Sequence, residues 1–255
     1  MEKHFKILKD LSMTFEGRTL YRIEATKDLP RPFVKKGDLG GWIEKEENLQ
    51  DNAWVADEAK VYGNAKVCGN AIVSVDAEVS GDAKILDNAW VYNNAKVRGT
   101  AIIYDNAVVC GSAIVYGRAR ISGYADISDN AKVHGNAIVF CGAKVYGDAE
   151  VYDDAIVYGN ASIYGNSKIL GSAEVCGNAT ICNDIIRYRN DYKNITGERY
   201  NITITPNYIG IGCKYHTKEE WWNFTDREII EMDGKEGLKW WNKWKPLLKG
   251  MCESE

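Results

Sequence analysis

A six-residue repeat without insertion or deletion dominates the sequence and restricts the folds open to it. Between residues 52 and 183 the chain consists of 22 consecutive hexapeptides, from NAWVAD to NATICN. The second position is Ala in all but one repeat, and the fourth is always Val or Ile. The sixth position is most often Gly and otherwise usually Asp or Asn. An uninterrupted period of this kind is typical of a solenoid, in which each unit packs on its neighbours.

Each position of the repeat has a physical interpretation. Ala, a variable residue and then Val or Ile form the alternating pattern of a short strand with one buried face. Gly, Asp and Asn follow because they tolerate the positive φ of a tight turn. Such short strands are not stable as isolated hairpins, so equivalent strands must pair from coil to coil. With three hexapeptides per coil, the sequence predicts an all-β solenoid of about seven triangular coils with Ala, Val and Ile inside.

The repeat resembles the hexapeptide-repeat family, whose fold is a left-handed parallel β-helix. Tyr often follows the aliphatic residue here, where the family pattern has a small or acidic residue. With the flanking segments KKGDLGGWIEKEENL and IGIGCKYHTKEEWWNFTDREI, this departure is similar to phage-borne or prophage-borne bacterial hexapeptide-repeat proteins. The wider family is commonly trimeric and includes many acyl-CoA-dependent acyltransferases, which use a histidine as general base at a site between subunits. The resemblance therefore implies a homotrimer and makes acyl transfer a function to consider.

The pattern divides the chain into three regions. Residues 1–51 contain two predicted strands on either side of a turn at Glu16-Gly17, and we expect this segment to cap the open end of the solenoid. Residues 52–183 form the hexapeptide-repeat β-helix. Residues 184–255 lack the repeat and are predicted to be a small α+β region, with strands in YNITITP and YIGIGCKYH.

Helix signals in the last region are local and specific. Thr217 with Glu220, and Thr225 with Glu228, have the spacing of two capping boxes. Gly234 predicts the end of the second helix, and a third follows in KEGLKWWNKWKPLLK. Tryptophans and lysines alternate there, which would suit nucleic acid, but the tryptophan spacing favours a buried stripe. Nucleic acid is therefore not expected as a partner.

The variable third position of each repeat points outward, so every third repeat contributes to one face of the prism. Two of the three faces have apolar stretches, whereas the other has mostly alternating charges. Exposed apolar stripes are unusual on a monomer, so we expect these stripes to be covered. Either another subunit covers them, as in a subunit interface, or the flanking regions do. The candidate interface residues are Trp54, Ile72, Trp90, Val108, Ile138 and Ile156.

His134 is the one histidine within the repeats and is the candidate catalytic base. Tyr116 and Tyr152 lie one coil away on either side, with Lys132 and Glu150 beside them, so a carboxylate could orient its ring. The interpretation we prefer is a solvated surface residue in a weak ligand or partner surface made of these five residues. On this view the chain has no assembled catalytic set.

Composition narrows the remaining possibilities. Cys213 and His216 have the spacing of a metal-binding pair, but no second ligand pair accompanies them, so no metal or cofactor is expected. The formal net charge of −4 is too mild for a polyanion mimic and too acidic for a bulk nucleic-acid binder. No apolar run approaches the ~20 residues needed to cross a bilayer, and no signal peptide is recognised, so a cytoplasmic location is expected.

These observations lead to a function hypothesis and an alternative. The hypothesis is a non-catalytic binding or scaffold protein on a rigid β-helix, with an unknown protein or small-molecule partner. If the chain is phage-borne, it would block or sequester a host component. The alternative is an acyl-CoA-dependent acyltransferase with its site between subunits.

Overall fold

A computed structural model describes residues 3–29, 34–196 and 199–253. The chain forms two compact units, one up to Arg189 and one from Asn190 onward. The first unit is a parallel β-solenoid of about eight turns with an antiparallel pair of strands at its start. The second combines a four-stranded sheet with helices.

Three sheets of short parallel strands form the faces of the solenoid. Face 1 consists of Trp54–Val55, Ile72–Val73, Trp90–Val91, Val108–Val109, Asp126–Ile127, Lys144–Val145, Ser162–Tyr164 and Thr180–Cys182. Face 2 consists of Leu39–Ile43, Lys60–Val61, Glu78–Val79, Lys96–Val97, Ile114–Val115, Lys132–Val133, Glu150–Val151, Lys168–Ile169 and Ile185–Ile186. Face 3 consists of Lys66–Val67, Lys84–Ile85, Ile102–Ile103, Arg120–Ile121, Ile138–Val139, Ile156–Val157 and Glu174–Val175.

The strand register confirms the predicted coil of three hexapeptides. Each strand pairs with the equivalent strand 18 residues away, as Val91 pairs with Val109. The Ala of the second position and the Val or Ile of the fourth are fully buried throughout, and Ser167 is buried where Ala is replaced. The interior is therefore narrow, and two small or branched side chains from each repeat fill it. The left-handed twist of the coil stays a prediction from the family resemblance.

Turn residues also connect successive coils. The sixth residue of every repeat has positive φ, including the two exceptions to the Gly, Asp and Asn pattern, Val75 and Cys141. Where this residue is Asp, its carboxylate accepts a hydrogen bond from the backbone N–H one coil later, as Asp105 does from Gly123 at 3.0 Å. These residues therefore provide both the turn geometry and a tie between coils.

The solenoid is about one turn longer than the repeat predicts, because the flanking segments continue it. Trp42 pairs with Lys60 and Leu49 bridges to Val67, both with the spacing of 18 residues. At the other end, Ile185 pairs with Lys168 after a spacing of 17. A short 3-10 helix occupies Glu46–Asn48. The solenoid backbone therefore starts before the hexapeptides begin.

Two long strands at the amino-terminal end cap the solenoid, as predicted. Phe5–Phe15 and Arg18–Ala25 pair antiparallel, and the second pairs with Leu39–Ile43 at the edge of face 2. The turn between them lies at Glu16 and Gly17, which both have positive φ. This arrangement covers a sheet edge that would otherwise present unpaired backbone groups.

The second unit contains two more strands than the sequence interpretation predicted. Its antiparallel sheet comprises Lys193–Ile195, Ile202–Ile204, Tyr208–Ile211 and Lys214–Thr217. The prediction of one strand over YIGIGCKYH was wrong, because Gly212 has a φ of 58° and turns the chain into a hairpin. A 3-10 helix at Arg189–Asp191 precedes the sheet.

Helices α1, Lys218–Asn223, and α2, Asp226–Glu253, complete the second unit. Both predicted capping boxes are present. α2 is interrupted where Gly234 adopts a φ of 70°, which confirms the predicted break. The expected stripe of Trp241, Trp244 and Leu248 is buried in a core of isoleucine, leucine and tryptophan side chains.

Two lysines of α2, Lys245 and Lys249, lie against aromatic rings of that core and are not simply solvated. Lys245 donates to the backbone carbonyl of Trp222 at 3.0 Å, and its ammonium lies 5.4 Å from the ring of Trp241. The ammonium of Lys249 lies 5.4 Å from the ring of Trp222. These cations therefore interact with the unit's own aromatic rings.

Candidate functional site

A continuous stack of side chains runs along the corner that follows face 2. Arg98, Tyr116, His134 and Tyr152 occupy the same position in successive coils, and we name them the corner stack. The Tyr116 and His134 rings are 4.5 Å apart and nearly parallel, and the His134 and Tyr152 rings are 5.0 Å apart. The guanidinium of Arg98 lies 5.3 Å from the Tyr116 ring. The strand register produces this stack, because it places residues 18 apart directly above one another.

Charged groups from face 2 lie beside the stack. His134 Nε2 is 3.3 Å from the Glu150 carboxylate, and Lys168 Nζ is 3.8 Å from the same carboxylate. Lys132 is exposed two residues before His134. The structure thus brings together the five residues that the sequence nominated. Arg98 was missed, although its position 18 residues before Tyr116 was a signal for it.

His134 is more enclosed than expected. Its side chain is only 20 % exposed, because a tyrosine ring covers each face of the imidazole. The expectation of a solvated ring was therefore wrong. Stacking leaves only the ring edges to contact a partner, so the surface offers hydroxyl, imidazole and guanidinium groups.

The protonation state of Tyr152 suits hydrogen bonding. Burial raises the pKa of its hydroxyl, and the negative charges of Glu150 and Asp153 raise that pKa further. The phenol therefore remains protonated at neutral pH and is able to donate a hydrogen bond. A row of such donors and cations can bind a polar or acidic surface.

Similar stacks occur at the other two corners of the prism. Phe140 stacks on Tyr158 with ring centroids 5.1 Å apart, and the Tyr158 hydroxyl donates to Glu174 at 2.7 Å. Tyr146 and Tyr164 stack at the third corner, also 5.1 Å apart. These stacks provide a structural reason for Tyr at this repeat position, since successive rings cover each other's faces. Tyrosine at this repeat position is therefore not by itself evidence of a binding site.

The candidate interface residues differ in exposure within a single chain. Trp54 is 2 % exposed and lies so close to Gly40 that a β-carbon there would be 2.6 Å from its ring. Ile72 is also buried, whereas Trp90 is 40 % exposed. The residues that remain half-buried are Val108, Ile138 and Ile156. The amino-terminal segment therefore packs against Trp54, and a subunit interface stays a prediction for the more exposed residues.

His216, the histidine of the possible metal-binding pair, lies among aromatic side chains. The His216 ring packs edge-on against Trp221 and Phe224, with ring centroids 5.2 and 4.9 Å apart. Across residues 3–29, 34–196 and 199–253, no three His, Cys, Asp or Glu side chains group as metal ligands would. Within the same ranges, neither α1 nor α2 has an apolar stretch long enough to span a bilayer.

Comparison with known protein families supports the β-solenoid fold. Residues 101–117 match a family model described as the YdcK beta solenoid repeat. No curated protein matches the chain. The periodic sequence, the parallel coils and this local match together define a β-solenoid repeat protein.

Proposed function

We propose that the chain is a non-catalytic binding or scaffold protein that presents the corner stack to a partner protein. The observation that carries this proposal is the enclosure of His134 between Tyr116 and Tyr152. A general base needs a nitrogen within reach of the proton that it removes. An imidazole with both faces covered and one nitrogen beside Glu150 is better suited to a fixed recognition surface.

Rigidity supports the same proposal. Backbone pairing fixes each side chain of the corner stack, so a partner would meet a surface that is already ordered. Lys132 and Arg98 add positive charge around it, which favours an acidic protein surface as the partner. The similarity to phage-type proteins suggests an accessory role in the bacterial cytoplasm, in which the chain blocks or sequesters a host component.

We further propose a homotrimer that buries the more exposed apolar side chains of face 1, Trp90 and Val108. Trp90 is 40 % exposed, and a large aromatic ring in that position would bury well against another subunit. Trp90→Lys is expected to give a smaller species in sedimentation velocity than the unchanged chain. An identical sedimentation coefficient for both would contradict the trimer on this face.

Protein retention from a bacterial lysate tests the binding proposal. The immobilised full chain is compared with Tyr116→Ala/Tyr152→Ala, which removes two rings of the corner stack. The matched control is Tyr146→Ala/Tyr164→Ala, which removes a ring pair at another corner. We expect a set of acidic proteins to be lost with the first variant and kept by the second. Equal retention by all three would contradict the proposal.

Acyl transfer is the second candidate, and one specific contact favours it. The 3.3 Å approach of His134 to Glu150 is the arrangement in which a carboxylate orients a catalytic imidazole. Release of free coenzyme A from acetyl-CoA with mixed amine and sugar acceptors tests it directly. We expect no turnover. Turnover that His134→Ala abolishes would replace the binding proposal with acyl transfer.

A further inference from the structure

The solenoid has a continuous region of positive charge, although the formal net charge of the chain is −4. Three segments that turn the corner between faces 2 and 3, residues 94–104, 112–122 and 130–140, contain no Asp or Glu. Their strands pair in register, so the three segments lie one coil above another. We name their cationic residues the basic patch, which consists of Lys96, Arg98, Arg118, Arg120 and Lys132.

Most of these cations have no acidic partner within the chain. Lys96 Nζ lies 3.3 Å from the carboxylate of Glu78. The other four residues of the basic patch form no ion pair with a carboxylate of the described residues. All five side chains are exposed. Four of the cations are therefore available to an acidic group of another molecule, which gives the surface charge complementarity to an acidic partner.

Isoleucine side chains lie between the cations. On face 2, Ile114 pairs with a lysine of the basic patch on each side. On face 3, Arg120 lies between Ile102 and Ile138. All three isoleucines are only half-buried, so a partner can remove further apolar surface from water. A free phosphate has no apolar group to cover them, whereas a polypeptide with apolar side chains does. The mixture of cations and isoleucines therefore favours a polypeptide.

The spacing of two arginines suits an extended segment. Arg118 and Arg120 are exposed on either side of Ala119, which is fully buried. Residues two apart in an extended chain are separated by about 6–7 Å. Acidic residues two apart in an extended partner segment have the same separation, so each can meet one guanidinium. Arginine binds a carboxylate through two parallel hydrogen bonds, which gives such pairs directional specificity.

We propose that the basic patch binds an extended acidic segment of a partner protein. Carboxylates of that segment pair with Arg118 and Arg120, and its apolar side chains cover the neighbouring isoleucines of face 3. This inference rests on the proposed function, because Arg98 and Lys132 also border the corner stack. It adds face 3 to the surface that the partner contacts, and it specifies that the partner has acidic and apolar residues close together.

The experiment uses the full chain with ¹⁵N-labelled arginine and three probes. These are the hexapeptide Glu-Leu-Glu-Glu-Leu-Glu, its counterpart with Gln in place of every Glu, and tripolyphosphate. The Nε–H resonances of Arg118 and Arg120 are assigned by their absence in Arg118→Gln and Arg120→Gln. The acidic peptide is expected to move both resonances in a saturable manner and to bind at least tenfold more tightly than the Gln peptide. Equal binding of the two peptides, or tighter binding of tripolyphosphate than of the acidic peptide, would overturn the proposal.

Two charge reversals separate the basic patch from the net charge of the protein. Arg118→Glu/Arg120→Glu is expected to weaken binding of the acidic peptide more than tenfold. The matched control is Lys66→Glu/Lys84→Glu, which reverses two exposed cations of face 3 outside the basic patch and should change binding less than twofold. Equal weakening by both variants would contradict the assignment.

The failure of this inference is distinguishable from the failure of the proposed function. Suppose that Tyr116→Ala/Tyr152→Ala loses the retained proteins but Arg118→Glu/Arg120→Glu binds the acidic peptide as the unchanged chain does. That result would overturn the role of the basic patch and leave the corner stack as the binding surface. Retention by the tyrosine variant, with the peptide lost by the arginine variant, would instead overturn the role of the corner stack.

Discussion

The solenoid and the second unit are stabilised in different ways. In the solenoid, each repeat contributes one Ala and one Val or Ile to the interior, and turn residues tie neighbouring coils together. In the second unit, one cluster that includes Trp221, Trp241 and Trp244 forms most of the core. A repeat protein distributes its stability over nearest neighbours, whereas a small mixed domain depends on a few large side chains. In the solenoid, the loss of stability on substitution should therefore depend on whether the side chain points inward. In the second unit, it should depend on whether one of these large side chains is removed.

The largest effect is expected from a charge in the solenoid interior. Val109→Asp would bury an unpaired carboxylate and lower the free energy of unfolding by about 4 kcal/mol or more. Urea unfolding followed by far-UV circular dichroism measures it. The control is Val108→Asp, one position away and half-buried on the outside, which should cost about 1 kcal/mol. Similar costs at both positions would contradict the alternation of inward and outward side chains.

Removal of one ring tests the second unit. Trp241→Ala leaves a large void among the packed aromatics and should cost about 3–4 kcal/mol. Tryptophan fluorescence during urea unfolding measures the change. Trp90→Ala removes the same side chain from a position that is 40 % exposed and should cost about 1 kcal/mol in the isolated chain. At protein concentrations low enough to dissociate a trimer, equal costs of the two substitutions would contradict this comparison.

A glycine substitution tests how closely the coils approach at the turns. A β-carbon at Gly99 would lie 2.9 Å from the backbone nitrogen of Gly117, and its φ is 73°. Gly99→Ala should therefore cost about 2–3 kcal/mol from the clash and the backbone strain together. Gly17 has a φ of 72° with nothing within 4 Å, so Gly17→Ala should cost only about 1 kcal/mol. Thermal unfolding of both variants separates the clash from the strain.

Val75 occupies a turn position that is usually Gly, Asp or Asn. Its replacement by glycine is expected to give a small gain in stability. Val75 is a branched residue with a φ of 62° and is 39 % exposed. Val75→Gly should remove backbone strain and stabilise the chain by about 0.5–1 kcal/mol. Val73→Gly, two residues earlier in a buried strand, should have the opposite sign. A destabilising Val75→Gly would show that this side chain has a role in packing.

The smallest effect concerns pH. His4 is buried, burial lowers its pKa below 6.5, and its Nε2 is 2.9 Å from the carbonyl oxygen of Ala53. The unfolded chain then binds more protons at this site as the pH falls below about 6.5, so stability decreases there towards the lower folded pKa. His4→Gln should flatten the change in urea midpoint between pH 7 and 5. An unchanged pH profile would show that His4 does not contribute to it.

Periodicity explains what could be predicted from the sequence. A strict interval of six residues sets the coil register, so the proximity of Tyr116, His134 and Tyr152 could be expected. Enclosure of the imidazole could not, because it depends on ring orientation. Polar residues in Lys193–Ile195 do not have the strand pattern, so that strand was missed.

A structure of the chain bound to the protein that it retains tests the central claim most directly. We expect partner atoms to lie within hydrogen-bond distance of the Tyr116 and Tyr152 hydroxyls. An acidic side chain of the partner should pair with Lys132 or Arg98. A complex in which the partner lies elsewhere, with the corner stack exposed to solvent, would contradict the account.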